Sequence, residues 1–265
     1  RQVLNSVFLS EALLHGLGRI DPFDVLRLPP WVPRFSRIGH GGSLRRFRRM
    51  VERTMAARQR LMKSGGPAPN DLLTLLLQME GPDGLTREEI KDNIITFIGA
   101  GHETTARALG WTLYCLASSP PDASYVTEEI DAFMAGPPRP PETWIDHLPR
   151  TRAAFEEAMR LYPPAPAITR AAIADDRYGD AVIAAGTNIL IMPWTLHRHR
   201  VLWDEPDSFM PERFWPENRE KIGRFQYLPF GAGPRTCIGA AFALQEAVIA
   251  LAVLLSRFSF ECTSD

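Results

Sequence analysis

One helical pattern, about 33 residues from Thr86 to Ser118, constrains this chain more than any other feature. Thr86 and Glu89 form a capping box in front of it, and Pro120 and Pro121 stop it. At its ordinary rise such a helix is roughly 50 Å long, enough to cross a whole domain. A chain organised around it is expected to be mainly α. Helical spacing also covers 1–18, 43–63, 121–134, 148–162 and 239–257, with a short leucine-rich helix after "KSGGPAPND". The proline-rich connector "DPFDVLRLPPWVPRF" follows the first of these. The stretch "RAAIADDRYGDAVIAAGTNILIMPW" differs in kind, because short apolar runs broken by Gly179 and Gly186 predict a small sheet of hairpins. Residues 199–236 are loop-rich, and "FSFEC" at 258–262 reads as a strand.

Thirty basic against thirty-one acidic residues leave a net charge of -1, which removes any bulk electrostatic case for nucleic acid. The basic helix over 43–63 carries seven arginines offset within it by Glu52, and is expected to be a solvated face. Cys115, Cys237 and Cys262 are far apart and odd in number, which argues against a disulfide framework and a structural zinc site. The first thirty residues hold no long apolar run, since Glu11, His15, Arg19 and Asp21 interrupt them. The expected compartment is the reducing cytoplasm.

The chemistry concentrates in "FGAGPRTCIG", residues 230–239. A cysteine acts as metal ligand only as thiolate, and Cys237 is expected at a helix start, where backbone N–H groups and the helix dipole face its sulfur. Gly233 and Gly239 admit conformations and close approaches that side chains block, so a flat cofactor can lie against this loop. Most lone cysteines at such positions are inert; the neighbours overturn that expectation. Glu157 and Arg160 in "EEAMR" share a helix face three residues apart, "PERF" supplies Arg213, and "AGHETT" lies in the middle of the long helix.

Phe230, Gly233, Arg235, Cys237 and Gly239 match the haem-binding loop of cytochromes P450 at every defined position, and the chain resembles that family throughout. The resemblance implies a mainly α cytochrome P450 fold with a minor β region, one partial domain over 1–265, bacterial in type. It lacks the family's N-terminal segments and its extreme C-terminal β-rich segment. By resemblance Cys237 is the axial thiolate ligand of the iron of haem b, Arg235 pairs with a haem propionate, and Phe230 packs beside the sulfur. Arg170 in "PAITR" matches a second propionate-binding position. Glu157, Arg160 and Arg213 form a buried structural triad that fixes the loop. Glu103 and Thr104 are the catalytic acid and hydroxyl for proton delivery to bound dioxygen, with Gly99 and Gly101 loosening the helix there. His102 receives no role, and His197 is placed near the haem edge. Ala100, with Pro166, Ala167 and Ile168, faces substrate.

The implied activity is a monooxygenase that puts one atom of O2 into a hydrophobic small molecule. Its electrons come from NAD(P)H through a ferredoxin and its reductase, a flavodoxin-type donor or a fused reductase, because no dinucleotide-binding loop or cysteine cluster is present. The rival expectations are a haem-thiolate peroxygenase or isomerase, and a non-catalytic fragment. The intact Glu103 and Thr104 favour the monooxygenase.

Overall fold

The long helical pattern is realised as one uninterrupted helix in the computed structural model, which describes residues 41–263. The helix expected over 1–18 and the connector after it lie outside the described residues. Six longer helices are α1 (Gly41–Lys63), α2 (Leu72–Gln78), α3 (Arg87–Ser118), α4 (Pro120–Met134), α5 (Pro149–Leu161) and α6 (Ala240–Leu255). The capping box closes reciprocally: the Thr86 N–H donates to Glu89 Oε2 at 2.8 Å, and the Glu89 N–H donates to Thr86 Oγ1 at 3.2 Å. Two orphan donors of the first turn are thereby satisfied. The Thr86 N–H also holds the Glu89 carboxyl below its ordinary value.

Two compact units divide within α3, between Glu103 and Thr104. In the first, Phe47, Val51 and Met55 recur every fourth residue on α1 and bury against Leu76 and Leu77 of α2 and Ile90 of α3. The basic face of α1 is less solvated than expected. Arg48 pairs with Glu88 and Asp92, Arg58 pairs with Asp71 at 2.6 Å, and Glu52 accepts from Lys91 of α3. Arg45, Arg46, Arg49, Arg53 and Arg60 do stay exposed.

In the second unit α5 runs through the interior, with every residue from Ala153 to Leu161 buried. On one side Ala154 meets Leu116, Val126, Ile130, Val248 and Ala252; on another Phe155 and Met159 meet Ala108, Ala247 and Leu251. Its first turn has no capping side chain of its own, since Leu148 stands at the N-cap. Glu129 of α4 serves instead, accepting the N–H groups of Arg150 at 2.8 Å and Thr151 at 2.9 Å. A carboxylate there also opposes the positive end of the helix dipole.

The hairpin region forms two separate antiparallel ladders. β1 (Ile168–Ala171) pairs with β4 (Asn188–Ile191), placing Ile168 opposite Ile191, and β2 (Asp176–Tyr178) pairs with β3 (Ala181–Ile183). Gly179 turns the second hairpin at φ +59°. The strand expected over 258–262 is not formed: that segment is irregular, because no described strand lies alongside to complete a ladder. Among the described residues no helix is long and apolar enough to cross a membrane.

Replacing Glu129 with Ala should strip the cap from α5 and lower stability by about 1 to 2 kcal/mol. Glu129→Gln should recover part of that loss. Urea midpoints of the complete protein check both.

Candidate functional site

The cysteine loop is moored at one end and presented at the other. Phe230 is half-buried and packs on the cluster of Phe155, Met159, Ala247 and Leu251. Its carbonyl accepts the Cys237 N–H at 2.9 Å, closing the loop on itself. The turn between them uses positive φ at Gly231 (+70°) and Gly233 (+76°), which side-chain-bearing residues rarely adopt. Gly239, with φ -86°, is under no such demand. A Cβ there would lie at an ordinary contact distance, 3.8 Å, from the Cys237 sulfur.

The helix begins later than expected. Gly239 is the N-cap of α6, and among the described residues no backbone N–H donates to the Cys237 sulfur; the Cys237 N–H is spent on Phe230. The thiol itself is exposed, flanked by Ile238 at 84% exposure and Phe242 at 69%. Arg235, at the end of a short 3₁₀ turn, is exposed too and meets no carboxylate among the described residues. A soft sulfur donor, two large apolar side chains and an unneutralised guanidinium fit a flat apolar group that carries a thiolate-seeking metal and an anionic edge. Haem has those properties.

A buried ion pair lies on α5. Arg160 and Glu157 have no exposed side-chain surface, and Arg160 grips both carboxylate oxygens, Nε to Oε2 at 2.7 Å and Nη2 to Oε1 at 2.8 Å. The remaining donors of Arg160 reach the carbonyls of His197 (2.8 Å), Pro206 (2.7 Å) and Ser208 (2.9 Å). Glu157 also accepts the Met210 N–H at 2.9 Å. Arg213 completes the trio, its Nε at an ion-pair distance of 3.4 Å from Glu157 without hydrogen-bond alignment. Arg213 also donates to the carbonyl of Glu205, whose φ of +44° is costly for a glutamate, so Arg213 helps hold a strained turn in place. Burial pushes the Glu157 carboxyl up from its ordinary value, and the bonds from Arg160 oppose that rise.

Glu156 was not singled out from the sequence, and His197 was singled out only for the haem edge. Glu156, next to the expected Glu157, is equally buried and held bidentately by Arg219, both contacts at 2.6 Å. Its carbonyl accepts the Tyr227 hydroxyl at 2.8 Å. The doubled acid in "EEAMR" was the available signal. His197 is wholly buried, so it offers no surface to a group resting on the exposed sulfur, contrary to the haem-edge expectation. Its imidazole instead lies among Arg160, Arg198 and Tyr227, and burial, helped by the two guanidinium charges, pulls its pKa from 6.5 to about 4.

The other expected positions sit as follows. Thr104, Gly101, Ala100 and His102 are exposed on α3 and Glu103 is half-buried; the helix shows no bulge at Gly99 or Gly101. Pro166 and Ala167 are exposed in the segment after α5. Ile168 opens β1 and reaches the cysteine loop, its Cδ1 lying 3.6 Å from where a Cβ on Gly231 would stand. Arg170 is on β1 and donates to the carbonyl of its neighbour Thr169. Among the described residues no group of histidines, cysteines and acids is arranged to hold a metal by itself.

Residues 21–265 match the family model for cytochrome P450, and the chain belongs to that family. It is 38% identical over 182 residues to the Arabidopsis thaliana protein LUTEIN DEFICIENT 5, chloroplastic, a match covering 68% of this chain and 30% of that protein. Cytochrome P450 4V2 of Mus musculus is 34% identical over 206 residues, 74% of this chain and 39% of the relative. Cyclooctatin synthase of Streptomyces melanosporofaciens is 38% identical over 174 residues, 66% of this chain and 38% of the relative. The chain thus spans between 30% and 39% of these relatives' lengths. A crystal structure of a cytochrome P450, CYP102L1, superposes with TM-score 0.78 and 31% identity over 93% of this chain and 57% of its own. The fold is the mainly α P450 fold with a minor β region.

Glu157→Ala should leave Arg160 buried with its charge uncompensated, lower stability by about 3 to 5 kcal/mol and prevent stable haem incorporation. Denaturant midpoints and the haem-to-protein absorbance ratio measure these losses. Acid should act through His197: the folded state resists a proton that the unfolded chain takes up near pH 6.5. Its contribution is therefore complete above pH 6.5 and falls away as pH drops toward 4, by roughly 3 kcal/mol. Stability measured against pH should fall less steeply across that window in His197→Gln.

Proposed function

We propose that the complete protein is a haem-thiolate monooxygenase acting on a hydrophobic small molecule. The observation that carries this reading is the exposed Cys237 sulfur on a loop braced by the buried Glu157–Arg160–Arg213 cluster, in a chain of the P450 family. Haem b, when bound, supplies the activation of dioxygen. Cys237 would hold the iron as thiolate, and Phe230 anchors its loop in the core. Arg235 and Arg170 would each meet a haem propionate through charge-assisted hydrogen bonds. Gly233 and Gly239 keep the approach to the sulfur open. Glu157, Arg160 and Arg213 are structural.

Glu103 and Thr104 are sequence neighbours on α3 and would serve as a proton relay, the carboxyl supplying a proton and the hydroxyl positioning it. Pro166, Ala167 and Ile168 would offer a small apolar wall to a hydrophobic substrate, and Ala100 on α3 is proposed separately as a substrate-facing residue. Electrons originate with NAD(P)H and arrive from a ferredoxin or flavodoxin-type donor, or from a fused reductase. The cytoplasm is the proposed compartment, in keeping with three cysteines that are all free thiols. The resemblance to a single partial P450 domain over 1–265 is retained as part of this proposal.

In the complete protein, a strongly red-shifted reduced carbon monoxide band is expected and should vanish in Cys237→His. A folded, haem-loaded protein lacking that band in the unaltered form would overturn the reading. Thr104→Ala should leave NAD(P)H consumption in place while the yield of product per electron pair falls several-fold and hydrogen peroxide appears. Tight coupling in that variant would remove Thr104 from proton delivery. Turnover supported by peroxide alone, with no response to NAD(P)H and electron donor, would favour the peroxygenase.

A further inference from the structure

His197 occupies a place between the buried ion pair and the cysteine loop that its sequence neighbours do not announce. Its carbonyl accepts Arg160 Nη1 at 2.8 Å, and its Nε2 accepts the Leu228 N–H at 2.8 Å. One residue thus joins α5 to the strand of chain that enters the loop. From Leu228 the connection continues locally: the Gly231 N–H donates to the Leu228 carbonyl at 3.2 Å, and the Cys237 N–H donates to the Phe230 carbonyl at 2.9 Å. Tyr227, one residue upstream of Leu228, is tied to α5 by its hydroxyl and packs its ring 5.2 Å from the imidazole centroid. The entry to the loop is therefore fixed at two consecutive residues, Tyr227 on the Glu156 carbonyl and Leu228 on His197 Nε2.

We infer that His197 is a positioning residue for the Cys237 thiolate, transmitting the geometry of the Glu157–Arg160 pair to the loop through its bond from the Leu228 N–H. This inference rests on the haem-thiolate reading. Chemistry selects the residue type. A buried backbone N–H needs an acceptor, and a neutral imidazole offers one at Nε2 while its proton stays on Nδ1. Nδ1 faces the backbone of Arg160 and Met159 without an aligned hydrogen bond, which leaves Nε2 as the acceptor. An apolar ring of similar size would fill the space and leave the Leu228 N–H stranded. The loop would then be free to shift by relaxing around Gly231 and Gly233, and the sulfur with it.

The experiment compares His197→Phe, which keeps volume and loses the acceptor, with His197→Gln, whose amide oxygen can take the place of Nε2, in the complete haem-loaded protein. The readouts are the fraction of reduced carbon monoxide complex in the thiolate form and the midpoint potential of the iron. His197→Phe is expected to lose at least half of the thiolate form and shift the potential, with far-ultraviolet circular dichroism unchanged; His197→Gln is expected to restore both. A full thiolate fraction and unaltered potential in His197→Phe would overturn the inference. If that variant does not accumulate, amide hydrogen exchange at Leu228 in the unaltered protein decides: protection comparable to the core of α5 supports the bond, and exchange at the unprotected rate refutes it. An unaltered protein with no thiolate band would sink the haem-thiolate reading, whereas a band that survives loss of the acceptor would sink only the role of His197.

Discussion

A carboxylate and a guanidinium removed entirely from water must satisfy each other and every donor left over, and the second unit is built around one such pair. Glu157 takes two bonds from Arg160, which leaves Arg160 with donors that only carbonyl oxygens can meet. The carbonyls of His197, Pro206 and Ser208 meet them, so three points on an otherwise irregular stretch are pinned to one helix. Loop-rich sequence between 199 and 236 would have little reason to hold one shape without that anchoring. The strained Glu205, the turn of "PERF" and the entry to the cysteine loop all lie on it. The pair's net contribution to stability is modest by comparison with its effect on which conformation the chain adopts, since its desolvation offsets much of its attraction.

Much of the helical framework was legible because it is written locally. The spacing of Phe47, Val51 and Met55, the Thr86–Glu89 box and the prolines at 120 and 121 each act within a few residues. The site was legible only in part. Glu157 and Arg160 stood out through the family pattern, yet an acid and a base three apart on a helix say nothing of burial. Glu156 and His197 escaped notice as structural residues because their partners are distant, Tyr227 being 71 residues from Glu156 and Leu228 being 31 from His197. Gly231 was not separated from the other loop glycines, since a positive φ is set by how the turn folds back on Phe230. The "FSFEC" pattern alternates like a strand, but alternation specifies a face, and a strand also needs a neighbour to pair with.

The same division explains how a reactive thiol is displayed on an inert scaffold. Everything that fixes the loop, from Phe230 in the core to the Leu228 N–H on His197, is buried or half-buried. Arg235, Cys237, Ile238 and Phe242, which would meet a cofactor, are exposed. Cys115 shows the contrast: buried, with its thiol pushed up to about 12 by desolvation, it is held in the unreactive form.

The buried pair is proposed to govern how the sulfur is presented, although it does not touch the sulfur. Arg160→Lys tests it most directly, because an ammonium keeps the charge and cannot grip two carboxylate oxygens while reaching three carbonyls. In the complete protein, the reduced carbon monoxide spectrum of this variant should lose most of its thiolate band although Cys237 is untouched. A thiolate band of normal size and position, in a protein as stable as the unaltered one, would contradict the claim.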